Sequence, residues 1–279
     1  MKSSCYYFQK KINSFGLLQN CVDATYVIHL ENNGRYEDIL DQLKEYQLSQ
    51  IEYIVFNKGY LNCNKEKYID TPPKDLVDTN LTIFEHANQH KYENILILED
   101  DFIFNEEIKK KSVREEICSF INKKKEKNFI YFLGCIPTFI YPASMDWKHY
   151  RGFSLAMHAC IFSKKCRMEL LKIDKKKIMD WDGYLNCQFS TYRYIYHKPL
   201  CYQLIPDTEN KKHWGSENII SYYFFMPLMK IIYKKLKLND QTEPGYTYFY
   251  IFSKIIFWIF LIFVFFCLFF LISFFWNRL

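Results

Sequence analysis

Glycine is scarce in this sequence, and the motifs that depend on it are missing. Only eight of the 279 residues are glycine, and none of them builds a phosphate-binding P-loop, a Rossmann dinucleotide fingerprint or a nucleophile elbow. The first 25 residues also contain no apolar run long enough for a signal peptide. These absences argue against P-loop NTPases, Rossmann dehydrogenases, α/β-hydrolases and a cleaved secretory leader.

Cysteine is present in ten copies, but without a pattern. The sequence has no CxxC pair and no other spacing typical of metal ligands. Scattered cysteines of this kind predict reduced thiols rather than disulfides or a zinc site.

Charge is missing from the last part of the chain. Residues 255–276 carry no charged side chain and include nine of the 26 phenylalanines. As a helix, these 22 residues would extend about 33 Å, enough to cross a hydrocarbon core of about 30 Å. We therefore predict a single-pass membrane protein with a C-terminal transmembrane helix that contacts membrane lipid.

Basic residues are more frequent before this segment than after it. Only Arg278 follows the segment, whereas five lysines precede it, which by the positive-inside rule predicts a cytosolic location for the larger part of the chain. On a cytosolic domain, the glycosylation sequon at Asn80 is expected to be unused. The lysines are Lys230, Lys234, Lys235, Lys237 and Lys254.

The formal net charge of +6 is modest and comes partly from these lysines. No interleaved aromatic and basic motif of an RNA-binding sheet is present, so we expect no nucleic-acid partner. The remaining lysine runs are typical of solvated helix faces.

Apolar runs and amphipathic stretches alternate between residues 25 and 204. Three β-prone runs, 25–30, 51–57 and 94–100, are separated by helical patterns, which predicts an α/β domain with a mostly parallel central sheet flanked by helices. The predicted organisation is an N-terminal extension (1–23), the α/β domain (24–205), a C-terminal extension with a basic juxtamembrane linker (206–254) and the transmembrane helix (255–276).

Three consecutive acids, Glu99, Asp100 and Asp101, follow the buried run Ile95–Leu98. Ligands of open α/β sheets bind at the carboxyl ends of the strands, where these acids are expected. Like charges about 4 Å apart repel by about 4 kcal/mol at an effective dielectric of 20, and a divalent cation would remove that cost. The alternative is an acidic loop that faces solvent.

Four stretches, in this order, resemble segments of glycosyltransferase family 25, which includes lipopolysaccharide-biosynthesis glycosyltransferases and procollagen galactosyltransferases. They are YVIHLENNGRYEDI, YENILILEDDFIF, MHACIFSKKCRMELL, and IMDWDGYLN with the later YHKPLCYQ. The resemblance covers about residues 24 to 204 and leaves the apolar C-terminal segment outside. The Gly-Cys and Ser-His pairs that family members usually carry before the acidic motif are absent from Asp78–Phe84.

The resemblance implies a GT-A fold, a nucleotide-sugar donor (a UDP-sugar above all) and a bound Mn²⁺ or Mg²⁺. Asp101 would be the principal metal ligand, helped by Glu99 or Asp100, and His213 could reach the metal from a C-terminal loop. Arg35 and His158 would lie near the nucleotide. The alternatives are a solvated helix start for Arg35 and a buried core position for His158.

Asp180 and Asp182 form a second acidic pair. Inverting sugar transfer needs a carboxylate that takes the proton of the acceptor hydroxyl. We favour Asp182 for this role, with Asp180 as the substitute, and the alternative is that one of them caps a helix before GYLNCQF.

The sequence thus predicts a membrane-anchored, metal-dependent hexosyltransferase that acts with inversion on a glycan, lipid-linked or protein acceptor. A metal-dependent phosphodiesterase or nuclease also clusters carboxylates around divalent ions. A third possibility is a catalytically inactive transferase fold that serves as an interaction module.

Overall fold

The computed structural model describes residues 5–204, 223 and 226–276. A seven-stranded sheet of order β1-β3-β2-β4-β7-β6-β8 forms its centre, and β5 pairs with β9 in a small second sheet. The strands are β1 (Tyr6–Ile12), β2 (Ala24–Leu30), β3 (Ile51–Asn57), β4 (Asn94–Leu98), β5 (Phe102–Phe104), β6 (Ile130–Pro142), β7 (His149–Ser163), β8 (Arg193–Tyr196) and β9 (Cys201–Gln203).

Helices cover both faces of the large sheet. The helices are α1 (Tyr36–Tyr46), α2 (Pro72–Gln89), α3 (Lys111–Lys123), α4 (Lys164–Leu171), α5 (Trp181–Gln188), a short helix (Met226–Lys235) and a long terminal helix (Gly245–Trp276). Helices α1 and α3 pack on one face, and α2, α4 and α5 pack on the other. The predicted α/β layer is therefore present, with a buried apolar core on each side.

The large sheet is mixed, so the expectation of a mostly parallel sheet is wrong. The strands β3, β2 and β4 are parallel to one another. However, β7 runs antiparallel to both β4 and β6 because a short turn, not a helical crossover, joins β6 to β7. The parallel pairing predicted from alternating strands and helices holds for β3, β2 and β4, and β6 and β8 are also parallel to each other.

The predicted N-terminal extension contributes a strand to the sheet. Strand β1 pairs antiparallel with β3 along its whole length, from Tyr6 opposite Asn57 to Ile12 opposite Ile51. The Tyr6 hydroxyl donates to the Asp78 carboxylate at 2.6 Å. The sheet thus begins well before residue 24.

Two disulfides join distant parts of the chain, and the prediction that all the cysteines are reduced is wrong for these four. Cys5 is bonded to Cys63, and Cys21 is bonded to Cys118. The partners are 58 and 97 residues apart in sequence, so the sheet, not local spacing, brings them together. Disulfides persist in oxidising compartments, and the structure gives no support to a cytosolic location.

The terminal helix is apolar and long enough to cross a membrane. Its 32 residues extend about 48 Å. The helix begins ten residues before the predicted start at residue 255, and this first part packs against the domain, with Tyr246, Tyr250 and Ser253 buried. From residue 255 to 274 its side chains are exposed or half-buried, as expected for a segment that contacts lipid.

Candidate functional site

The acids predicted to form a site lie at the carboxyl ends of two neighbouring parallel strands. Strand β4 ends at Leu98 and is followed by Glu99, Asp100 and Asp101, and the loop after the adjacent β2 contains Arg35. Parallel pairing puts both carboxyl ends at the same edge of the sheet. The structure therefore brings Arg35 together with Asp100 and Asp101 at this edge of the sheet.

Asp100 is held by the loop that follows β2. One of its carboxylate oxygens accepts from Arg35 Nη1 at 2.6 Å, and the other accepts from the Asn33 side chain and from the backbone N–H of Leu30 at 3.3 Å. The His29 ring lies 3.9 Å from the same carboxylate. Asp100 thus fixes the shape of this loop, and its oxygens already have donors.

Asp101 and Glu99 share a different partner, Gln203 at the end of β9. The Gln203 Nε2 donates to both oxygens of Asp101, at 2.8 and 2.9 Å, and lies 3.4 Å from Glu99 Oε2. Arg35 Nη1 is 3.1 Å from Asp101. The pairing of β5 with β9 produces this contact because it sets Phe102, next to Asp101, opposite Gln203.

Burial makes the acidic cluster costly to ionise. Burial is the main reason that the pKa of Glu99 lies well above its usual value, and the charges of Asp101, Asp182 and Asp100 add to the effect. Burial also raises the pKa of Asp101 to about 6, although Arg35 and Gln203 favour its charged form. A bound cation would favour the ionised form of both carboxylates.

Strand β7 connects this cluster to Asp182. The Glu99 N–H donates to the His158 carbonyl at 3.1 Å, and the backbone N–H groups of Ala156 and Met157 on the same strand favour the charged form of Asp182. The charge of Asp182 contributes to the raised pKa of Glu99. The two predicted acidic groups are therefore close enough for the charge of one to affect the other.

Asp182 is half-buried at the start of α5. Burial, and secondly the charge of Asp180, raise its pKa to about 7, and the Arg193 guanidinium opposes the rise. Arg193 is itself fully buried. Its side chain donates to Asn186 and Ser154 and so is fixed in place.

Asp180 caps the start of α5. It is the N-cap of α5, and its carboxylate accepts from the Gly183 N–H at 2.6 Å. The capping alternative thus applies to Asp180, and Asp182 is the acid of the pair whose charge affects Glu99.

His158 lies behind the site in the core. Its side chain is fully buried, with Nε2 3.0 Å from the Cys201 carbonyl and Nδ1 2.7 Å from the Ala156 carbonyl. Burial lowers its pKa to about 4. Because both ring nitrogens face backbone carbonyls, the expected contact of His158 with a nucleotide is not available, and the core alternative applies.

The residues present fit a divalent cation only in an open arrangement. Among the residues that the structure describes, no three His, Cys, Asp or Glu side chains converge as a closed metal site. Glu99 and Asp101 converge on the Gln203 amide nitrogen, so a cation would bind there only with this amide turned to present its oxygen. Mg²⁺ often uses one or two carboxylates, with water and phosphate oxygens completing its shell. Asp100 is engaged by Arg35 and Asn33, and His213 lies outside the described residues.

Three residues contribute to the site although the sequence next to them does not predict this role. Gln203 reaches the acids from 102 residues away. Arg193 approaches Asp182 from β8. Tyr246, on the terminal helix, donates to the Gln203 carbonyl at 2.9 Å and accepts from its N–H at 3.2 Å. The resemblance includes the segment that contains Gln203 but does not indicate what it touches.

Comparisons with known proteins find only distant similarity. No protein-family model and no curated protein matches this chain. Two solved structures match 66% of the chain at 11% identity with a TM-score of 0.39. They are A197 from STIV, matched over 86% of its length, and a glycosyltransferase involved in the glycosylation of the major capsid of PBCV-1, matched over 96%. Similarity this weak carries no argument about activity, and no match supports family 25 specifically.

Proposed function

We propose that this chain is a membrane-anchored glycosyltransferase that moves a hexose from a nucleotide sugar, a UDP-sugar above all, to a glycan, lipid-linked or protein acceptor. The observation that carries the proposal is the joining of two acidic groups by β7. Glu99 and Asp101 lie beside Arg35 at one end of this arrangement, and Asp182 lies at the other.

The first group suits the diphosphate of the donor. The Arg35 guanidinium borders the acidic cluster and is partly exposed to solvent, so it can pair with phosphate oxygens. Glu99 and Asp101 would hold Mn²⁺ or Mg²⁺, which supplies positive charge next to the departing diphosphate. Without such a cation, two buried carboxylates would repel an anionic donor.

Asp182 suits the proton transfer. Its pKa of about 7 lies near neutral pH, where a general base works best. In the proposed step, the carboxylate takes the proton of an acceptor hydroxyl while that oxygen bonds to the anomeric carbon. The bond from this carbon to the diphosphate oxygen breaks, and the nucleoside diphosphate leaves with the electron pair. Attack opposite the leaving group inverts the anomeric configuration.

The test is the thermal stability of the full chain with Mn²⁺ or Mg²⁺ and a panel of nucleoside diphosphates and nucleotide sugars. A specific ligand stabilises the fold by about 2.7 kcal/mol at 100 times its dissociation constant. We expect a shift that needs both the metal and one nucleotide. Asp101→Asn should remove the shift, and Asp41→Asn, an exposed position on α1, should keep it.

Two results would contradict the proposal. Absence of a shift with every nucleotide would favour the inactive interaction module. Hydrolysis of a phosphodiester without any dependence on nucleotide sugar would favour the phosphodiesterase or nuclease, since such enzymes also place carboxylates around divalent ions.

A further inference from the structure

Strands β6 and β7 form a long hairpin, and its turn end is joined to the sheet, with His149 and Tyr150 opposite Tyr196 and Ile195 of β8. Their pairing continues from Phe139 opposite Phe153 to Pro142 opposite Tyr150. We call residues 141–147 the hairpin tip. Apolar side chains are exposed there: Met145 is 95% exposed and Trp147 is 47% exposed. An exposed methionine and tryptophan at the end of a hairpin suggest a surface that meets an apolar partner.

The hairpin lies against the terminal helix through aromatic contacts. The Trp147 ring stacks on Trp258 with 5.5 Å between centroids and 14° between planes. Phe139 contacts Phe257 and Phe260 at 6.0 and 5.9 Å. All three helix residues belong to the charge-free segment that begins at residue 255.

The length of the helix sets where the bilayer must begin. If the membrane began only after Phe260, residues 261–276 would have to cross it, and 16 residues extend about 24 Å as a helix. A hydrocarbon core of about 30 Å is longer than that. A span that starts near residue 255 is long enough, and the helix residues beside the hairpin are then within the membrane boundary.

We propose that the hairpin tip is a second membrane-contacting element and that its partner is the lipid bilayer. Tryptophan and tyrosine are enriched at membrane interfaces, where the tip places Trp147 and Tyr141. Asp146 limits the depth, since its carboxylate is ionised and accepts from Ser144 and from the Lys148 N–H at the turn. The tip therefore lies at the level of the headgroups, not in the hydrocarbon centre.

The test uses the full chain in phosphatidylcholine nanodiscs and does not depend on enzymatic activity. Cys187 and Cys267, the exposed free cysteines of the described chain, are replaced by serine. Met145→Cys then carries an environment-sensitive fluorophore. The matched control is Met168→Cys, an exposed methionine on α4 beyond the opposite end of β7.

We expect the emission of the label at position 145 to shift to shorter wavelength and to lose intensity with lipids that carry a quencher near the headgroup. The label at position 168 should show neither effect. Equal, water-like emission at both positions would overturn the proposal. A blue shift at 145 that depends on protein concentration and is insensitive to the lipid quencher would also overturn it, because a second copy of the chain would then cover the tip.

Discussion

Substitution of Asp182 by asparagine tests the proposed proton transfer most directly. The amide keeps the size of the side chain beside the backbone N–H groups of Ala156 and Met157, but it cannot take a proton from an acceptor hydroxyl. Loss of a positioned general base costs about 10²- to 10⁴-fold in rate. We expect kcat to fall by this factor while donor binding, measured by thermal shift, is kept.

The pH dependence gives a second readout of the same substitution. Since Asp182 must be ionised to act, the kcat/KM of the wild-type protein should rise with pH and level off above about 7, the pKa of this carboxyl group. The asparagine variant should lack this rise.

The contribution of Asp182 to folding stability should fall as the pH rises. The pKa of Asp182 is higher in the folded than in the unfolded chain, so the stability it contributes is complete below about pH 4 and is lost as the pH rises to about 7. In that window the slope for one group is at most about 1.4 kcal/mol per pH unit, and Asp182→Asn should flatten the curve accordingly.

The control is Asp180→Asn, since asparagine caps a helix as well as aspartate does. This variant should keep its turnover above about pH 7, with the rise of kcat/KM moved to lower pH, because the charge of Asp180 raises the pKa of Asp182. Unchanged turnover of Asp182→Asn across the pH range would refute the base assignment, and loss of turnover in both variants would show that the pair acts through the structure of α5.

Three further predictions concern the support of the site. Gly134→Ala places a methyl group 2.3 Å from the His158 ring, so it should destabilise the fold by about 1–3 kcal/mol in urea unfolding, and an unchanged midpoint would contradict this packing. Tyr246→Phe removes the hydroxyl that bonds both backbone groups of half-buried Gln203 and should cost about 1–3 kcal/mol, whereas Tyr248→Phe, on the exposed side of the helix, should not. Reduction of the disulfide whose cysteines are 58 residues apart should cost about 4 kcal/mol, and a mass spectrum of the unreduced protein with ten free thiols would refute the pairing.

The local part of the fold could be predicted from the sequence, and the part made by distant contacts could not. The strand at Ile51–Asn57 has the predicted bounds, because it is specified by its own apolar pattern. Strand β1 is partly polar and half-exposed, so its sequence lacks a clear apolar pattern. Its pairing with β3 is what identifies it as a strand. The direction of β7 depends on the length of the turn before it, which apolar periodicity does not encode.

The candidate site also has a part that the local sequence predicts and a part that depends on distant contacts. The three acids are visible because three consecutive carboxylates after a buried strand repel one another, and the topology of parallel strands predicts the edge at which they lie. Gln203 reaches them only through the pairing of β5 with β9. The choice between Asp180 and Asp182 also needed geometry, because either acid could cap the helix, and the hydrogen bond to Gly183 assigns that task to Asp180.

The terminal helix links the proposed anchor to the proposed site. Tyr246, at the beginning of this helix, holds both backbone groups of Gln203, whose side chain holds Glu99 and Asp101. A chain that ended near Glu243 would be free of the apolar segment but would lose this support. We therefore expect a soluble form truncated there to be less stable than the full chain, and its thermal shift with metal and nucleotide to be smaller. A form that ends after Ser253 keeps the buried first turns of the helix. If Tyr246 supports the site, this form should show the full thermal shift, whereas the form that ends near Glu243 should not.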